Sequence, residues 1–150
     1  MADGYFVHVG YTGKDHRIII EYSCDLYSIY IHVEELDQAI ESQLEWTESG
    51  SEGRKKAYSR IPVKKGQVIG KANQRGSFDV SVVDTRVTLT GFSNPLTTYK
   101  GEIWKFHCVD PFDYWKGDFR QVLLNKTITV SNLPPGGKID YDIEGKVIGN

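Results

Sequence analysis

Short runs rich in β-branched and aromatic residues, cut off by Gly, Asp or Ser, constrain this chain more than any other feature. Tyr5-Phe6-Val7-His8-Val9, Arg17 to Tyr22 and Ser28 to Val33 have the length and composition of strands. Ser77 to Val83 alternates with period two, which places Phe78, Val80 and Val82 on one face. Arg86 to Thr90, Ile103 to Val109, Gln121 to Leu124 and Thr127 to Val130 continue the style. Lys138 to Ile143 and Lys146 to Ile148 flank Glu144-Gly145 and read as a hairpin. A chain so patterned must bury one side of a sheet, so the expected class is mainly β.

One segment differs. From Glu34 to Trp46, Leu36, Ile40 and Leu44 fall on one helical face, with Glu34, Glu35 and Asp37 at the start. The spacing predicts a helix near 34–46, ended by Ser49-Gly50-Ser51-Glu52-Gly53. The length of 150 residues suits a single domain over 1–150. Charge is segregated although the net is only −2. Residues 1–53 carry eleven acids and two bases, and residues 54–75 carry eight bases and no acid. The basic run reads as a mobile, solvated loop facing the acidic half. Nucleic acid is not an expected partner, because Tyr58 is the one aromatic among those bases.

Val63-Lys64-Lys65-Gly66-Gln67-Val68-Ile69-Gly70 is a strand entering a glycine turn and leaving into a second short strand. Gly66 suits the turn and Gly70 lets backbones approach closely. Before it stands Tyr30-Ile31-His32-Val33, with Leu36 following; after it stands Arg75-Gly76-Ser77-Phe78-Asp79-Val80. Asp3-Gly4-Tyr5 opens the pattern. Over roughly residues 3–83 this order resembles the lysostaphin/LytM-type zinc metallopeptidases. The resemblance implies a barrel-sandwich half-barrel (a duplicated hybrid motif); residues 84–150 have no counterpart in it and read, from their strand-like runs, as a β extension of the same domain. It also implies a position in the cell envelope or outside the cell; the compartment is otherwise open.

The chemistry of that family does not carry over with the scaffold. Where those enzymes have H-x-H-F-E-V, Arg75 and Ser77 stand in place of the histidines, and the family's H-x-x-x-D segment would precede residue 1. A catalytic zinc needs three protein ligands and an open position for water. His8, His16, His32 and His107 form no H-x-H or H-x-x-x-H pair, and no HExxH or G-x-S-x-G occurs. The expectation is therefore no metal, no cofactor and no catalytic residue. The candidate ligand-binding residues are His32 and Asp79 from the scaffold, and Trp104, Asp110, Asp113, Tyr114 and Trp115 from an aromatic, acidic segment suited to sugar rings. Cys24 and Cys108 read as buried thiols rather than a pair. No apolar run reaches the ~20 residues of a membrane helix, and Met1-Ala2-Asp3-Gly4-Tyr5 is unlike a signal peptide. Three readings stay open: a peptidase-like module that binds a glycan or peptide polymer, a zinc peptidase completed by residues upstream or from a partner chain, and a self-associating structural protein. The oligomeric state is not legible.

Overall fold

A computed structural model describes residues 2–50, 53–72, 78–89, 103–114, 118–126, 140–141 and 147–149. The chain forms two compact units, Met1–Asp84 and Thr85–Asn150.

The first unit is built on an antiparallel sheet. β1 (Gly4–Tyr11), β2 (His16–Glu21) and β3 (Leu26–Val33) form a meander of two hairpins, and β3 pairs with β8 (Asp79–Asp84). On the other side β1 pairs with β6 (Lys55–Val63), which carries β5 (Thr47–Glu48) along its first two residues. The spatial order within this unit is β5-β6-β1-β2-β3-β8. β4 (Glu35–Leu36) and β7 (Gly70–Lys71) make a separate small pair. No closed barrel is formed by the described strands.

Alternation sorts the side chains between the two faces of the sheet. Phe6 and Val9 of β1, Ile18 and Ile20 of β2, and Ala57, Ile61 and Val63 of β6 point to one face and make a common core with Val33, Leu36 and Ile40. Each large apolar side chain so buried is worth roughly 1.5–3 kcal/mol relative to exposure.

The expected helix over 34–46 is a single turn, α1 (Gln38–Glu41). Asp37 caps it by accepting a hydrogen bond from the Ala39 N–H at 3.0 Å. Gln43 and Leu44 N–H groups then reach back only three residues, to the Ile40 and Glu41 carbonyls, which tightens and ends the coil. The apolar stripe still reaches the core: Leu36 arrives on a strand, Ile40 on the turn, and Leu44 and Trp46 on the segment beyond. The basic run is likewise no loop over its first half, because Lys55–Val63 is a strand inside the sheet.

The second unit departs further from expectation. Ile103–His107 is a 3-10 turn followed by the short β9 (Cys108–Val109), and Pro111–Tyr114 is another 3-10 turn. Gln121 to Leu124 lies inside a helix, α2 (Asp118–Lys126), rather than a strand. Val87 to Leu89 has no regular structure, although its carbonyl and amide groups bond His107 and Phe106. The hairpin near the end is present: β10 (Asp140–Tyr141) pairs antiparallel with β11 (Val147–Gly149). Thr127 to Val130, Arg75, Ser77 and Trp115 lie outside the described residues.

Candidate functional site

The most unusual backbone in the described chain is at His32. It is the one non-glycine described residue with positive φ, at 67°. That conformation costs an L-residue about 1–2 kcal/mol, because Cβ crowds the following carbonyl. The cause is a register shift. His16 pairs with Val33, yet Ile18 pairs with Tyr30, so Ile31 and His32 together face the single residue Arg17. This is a β-bulge, a device that bends a strand and re-aims a side chain.

The bulge delivers the His32 ring to Asp15. Nδ1 lies 2.8 Å from the Asp15 carboxylate, whose side chain is 8% exposed. Asp15 is fixed in turn by the β1–β2 loop Thr12-Gly13-Lys14-Asp15, in which Gly13 takes φ 89°. Thr12 donates its hydroxyl to the other Asp15 oxygen at 2.8 Å and its N–H to the Asp15 carbonyl at 3.0 Å. In the tautomer that donates Nδ1–H to Asp15, the lone pair lies on Nε2. Nε2 stands 3.7 Å from an oxygen of Asp79, whose side chain is 59% exposed. Asp79 is placed there by the β3–β8 ladder, in which Ile31 opposes Asp79. On the opposite face Phe78 stacks on Tyr30, with centroids 6.0 Å apart and planes at 19°.

A separation of 3.7 Å is too long for a hydrogen bond. Two acceptors at that spacing are close enough to face one small group. Two neighbouring hydroxyls of a polyol can each donate, one to Nε2 and one to Asp79. His16 next door does something else. Its Nδ1 donates to the Val33 carbonyl at 2.9 Å, and its ring packs against Tyr11 and Trp46. Burial pushes its pKa down, against the hydrogen bond to Val33. It is a packed core histidine.

The structure thus brings His32 and Asp79 together and adds Asp15, which sequence reasoning missed. Its one signal was the T-G-K-D turn between two strand-like runs. The remaining candidates belong to the second unit. Asp110 shapes a turn: its side chain accepts the Phe112 N–H at 2.8 Å and its carbonyl accepts the Asp113 N–H at 3.1 Å. Trp104 is half-buried under the Lys105 ammonium, and Phe106 is buried. Asp113 is exposed and Tyr114 half-buried. Cys24 and Cys108 are thiols rather than halves of a disulfide, and Cys24 is exposed rather than buried. Burial raises the pKa of the Cys108 thiol, which makes it a poor nucleophile. Among the described residues no group of three His, Cys, Asp or Glu side chains is arranged to hold a metal ion, and no helix is long and apolar enough to cross a membrane. Compared with known proteins, the chain matches no family model, no curated protein and no solved structure.

Proposed function

We propose that this protein is a non-catalytic binding module for a glycan or glycan–peptide polymer, carried on a peptidase-like scaffold without its metal ligands. One observation carries the reading: a strained bulge holds His32 between a buried carboxylate and an exposed one, with Nε2 and Asp79 spaced for a diol. Strain of this kind persists where the surrounding structure enforces it, and it gathers at ligand sites. Three features are ones that a LytM-type scaffold would also need. β3 lies beside β8, Gly66 turns the chain at φ 83°, and Gly70 leaves no room for a Cβ beside the Glu35 carbonyl. Trp104, Asp113 and Tyr114 of the second unit are proposed as a separate sugar platform of that unit.

The test is calorimetric titration of the purified protein with N-acetylglucosamine oligomers and soluble peptidoglycan fragments. Binding is expected, weakened about tenfold by Asp79→Asn, the loss of one hydrogen bond to a charged group. Absence of binding to every such polymer overturns the reading. A second reading, a zinc peptidase completed by residues from a longer or partner chain, is favoured by His32 and Asp79, side chains of types that can ligate zinc, standing side by side. One equivalent of tightly held zinc together with peptide hydrolysis would transfer the assignment to it.

A further inference from the structure

The same sheet carries a second set of groups that the His32 site does not use. β6 alternates between core and surface: Ala57, Ile61 and Val63 are buried, whereas Tyr58, Arg60 and Pro62 are exposed. Tyr58 is 70% exposed, the most open of the large apolar side chains in the described chain. Cross-strand pairing sets His8 of β1 opposite Tyr58 and Tyr5 opposite Pro62. The His8 and Tyr58 rings lie 4.8 Å apart. The Arg60 guanidinium sits 4.1 Å over the Tyr5 ring and donates to Glu21 at 3.0 Å. The Lys56 ammonium lies 5.6 Å from the Tyr58 ring. Gly10, opposite Lys56 and Arg17, adds no side chain there; a Cβ would meet only the His8 ring, at 3.8 Å.

Tyr58 and Asp79 both project from the face opposite the core. Tyr58 follows buried Ala57, and Asp79 lies between Phe78 and Val80, which face Tyr30. From β8 to β6 there are four strand spacings, about 19 Å in all. One polymer a few sugar rings long can touch both places.

We propose that Tyr5, Tyr58, Lys56 and Arg60 form a second subsite on this face, and that the polymer it takes is an acidic glycan with a carboxylate on about every second sugar. This rests on the glycan-binding reading and specifies the polymer's charge and its second contact. Open tyrosine rings stack on the apolar faces of sugar rings. Lys56 and Arg60, with Arg17 across Gly10 from Lys56, give the patch a basic character beside Glu21 that suits a carboxylate. At the other end Asp15 and Asp79 flank His32, so the sugar bound there is neutral and offers hydroxyls. Alternation of an acidic and a neutral sugar satisfies both ends. Single-stranded nucleic acid fits worse. It carries a phosphate on every unit and binds through a basic groove, and here its phosphates would meet the Asp79 carboxylate.

Hyaluronan oligosaccharides, which alternate a uronate with N-acetylglucosamine, are the acidic probe; N-acetylglucosamine oligomers of equal length are the neutral one. The purified protein is titrated with each at low and high salt, and with an oligothymidylate. The expected result is tighter binding of the uronate polymer, weakened by salt, and reduced about tenfold by Tyr58→Ala and by Arg60→Gln. Unfolding transitions of both variants identify any loss due to misfolding, and Tyr58→Phe, which keeps the stacking ring, is expected to bind as the wild type does. Equal, salt-independent binding of both glycans, or wild-type affinity in Tyr58→Ala, overturns the acidic subsite and leaves the glycan module standing. Tighter binding of oligothymidylate also overturns it. Failure of every glycan to bind overturns both proposals.

Discussion

His32 shows how one inserted residue decides a site. Strict alternation through Ser28, Tyr30 and His32 would put the imidazole on the core face, with Val33 on the other. The bulge opposite Arg17 reverses both assignments, so Val33 is buried and His32 meets Asp15 and Asp79. A one-residue shift moves every later side chain to the other face, and nothing in Ser28-Ile29-Tyr30-Ile31-His32-Val33 announces it. The identity of the residue was legible; its direction was not. The positive φ gives a sharp test. His32→Gly and His32→Ala delete the same ring and leave Asp15 with the same deficit. In an ordinary strand Ala is the more stable of the two by roughly 0.5–1 kcal/mol. At φ 67° the order is expected to invert, with Gly more stable by about 1 kcal/mol. Urea denaturation of the two variants reads the sign directly; an Ala variant as stable as the Gly variant would contradict the left-handed backbone.

Elements formed where local chemistry and packing agreed. The run from Val63 to Gly70 is the clearest case. Its turn closes with Gln67 N–H on the Lys64 carbonyl at 2.9 Å, and the Asp3 carboxylate bridges the Lys65 N–H and the Lys64 ammonium. β7 then meets β4, with the Glu34 N–H on the Lys71 carbonyl and the Asp37 N–H on the Ile69 carbonyl. Gly70 is required at that junction, since an added Cβ would lie 2.5 Å from the Glu35 carbonyl oxygen and 2.7 Å from a Val33 methyl. Gly70→Ala is expected to cost about 1–3 kcal/mol, the range for forcing a methyl into packed surroundings. A lower urea midpoint with an unchanged slope would record it; an unchanged midpoint would mean that β4 and β7 can part without loss. The helix over 34–46 failed for an element-scale reason. Its apolar period was real, but Leu36 was claimed by β4 and the residues after Glu41 by the core around His16 and Trp46. Periodicity reports which residues seek the core, not which backbone carries them there.

At the scale of the molecule, two histidines tie stability to pH. Burial holds the pKa of His8 below its ordinary value of 6.5, helped by the positive charges of Arg17 and Lys56. Burial does the same to His16, against the Val33 hydrogen bond and the charges of Glu41 and Asp15. The unfolded chain therefore binds more protons than the native one as pH falls through the range just below 6.5. Stability present above that value is lost on acidification, and the thermal midpoint is expected to drop between about pH 7 and about pH 5. Replacing both histidines by Gln should flatten that drop; a midpoint that stays level or rises in the wild type would contradict the burial. Composition and period two determined by themselves that this chain is mainly β; the antiparallel pairing came with the structure. The glycine chemistry of Gly66 and Gly70 was equally plain, because steric demands on a turn or a close approach are local. The basic run was visible as charge, but its conversion into a cation-and-tyrosine face required β1 to supply Tyr5 and His8 across the ladder. Asp15 beside His32 required a bulge and a hairpin loop to meet. Those pairings join residues far apart in the chain, and only the packing of strands against a shared core fixes their register.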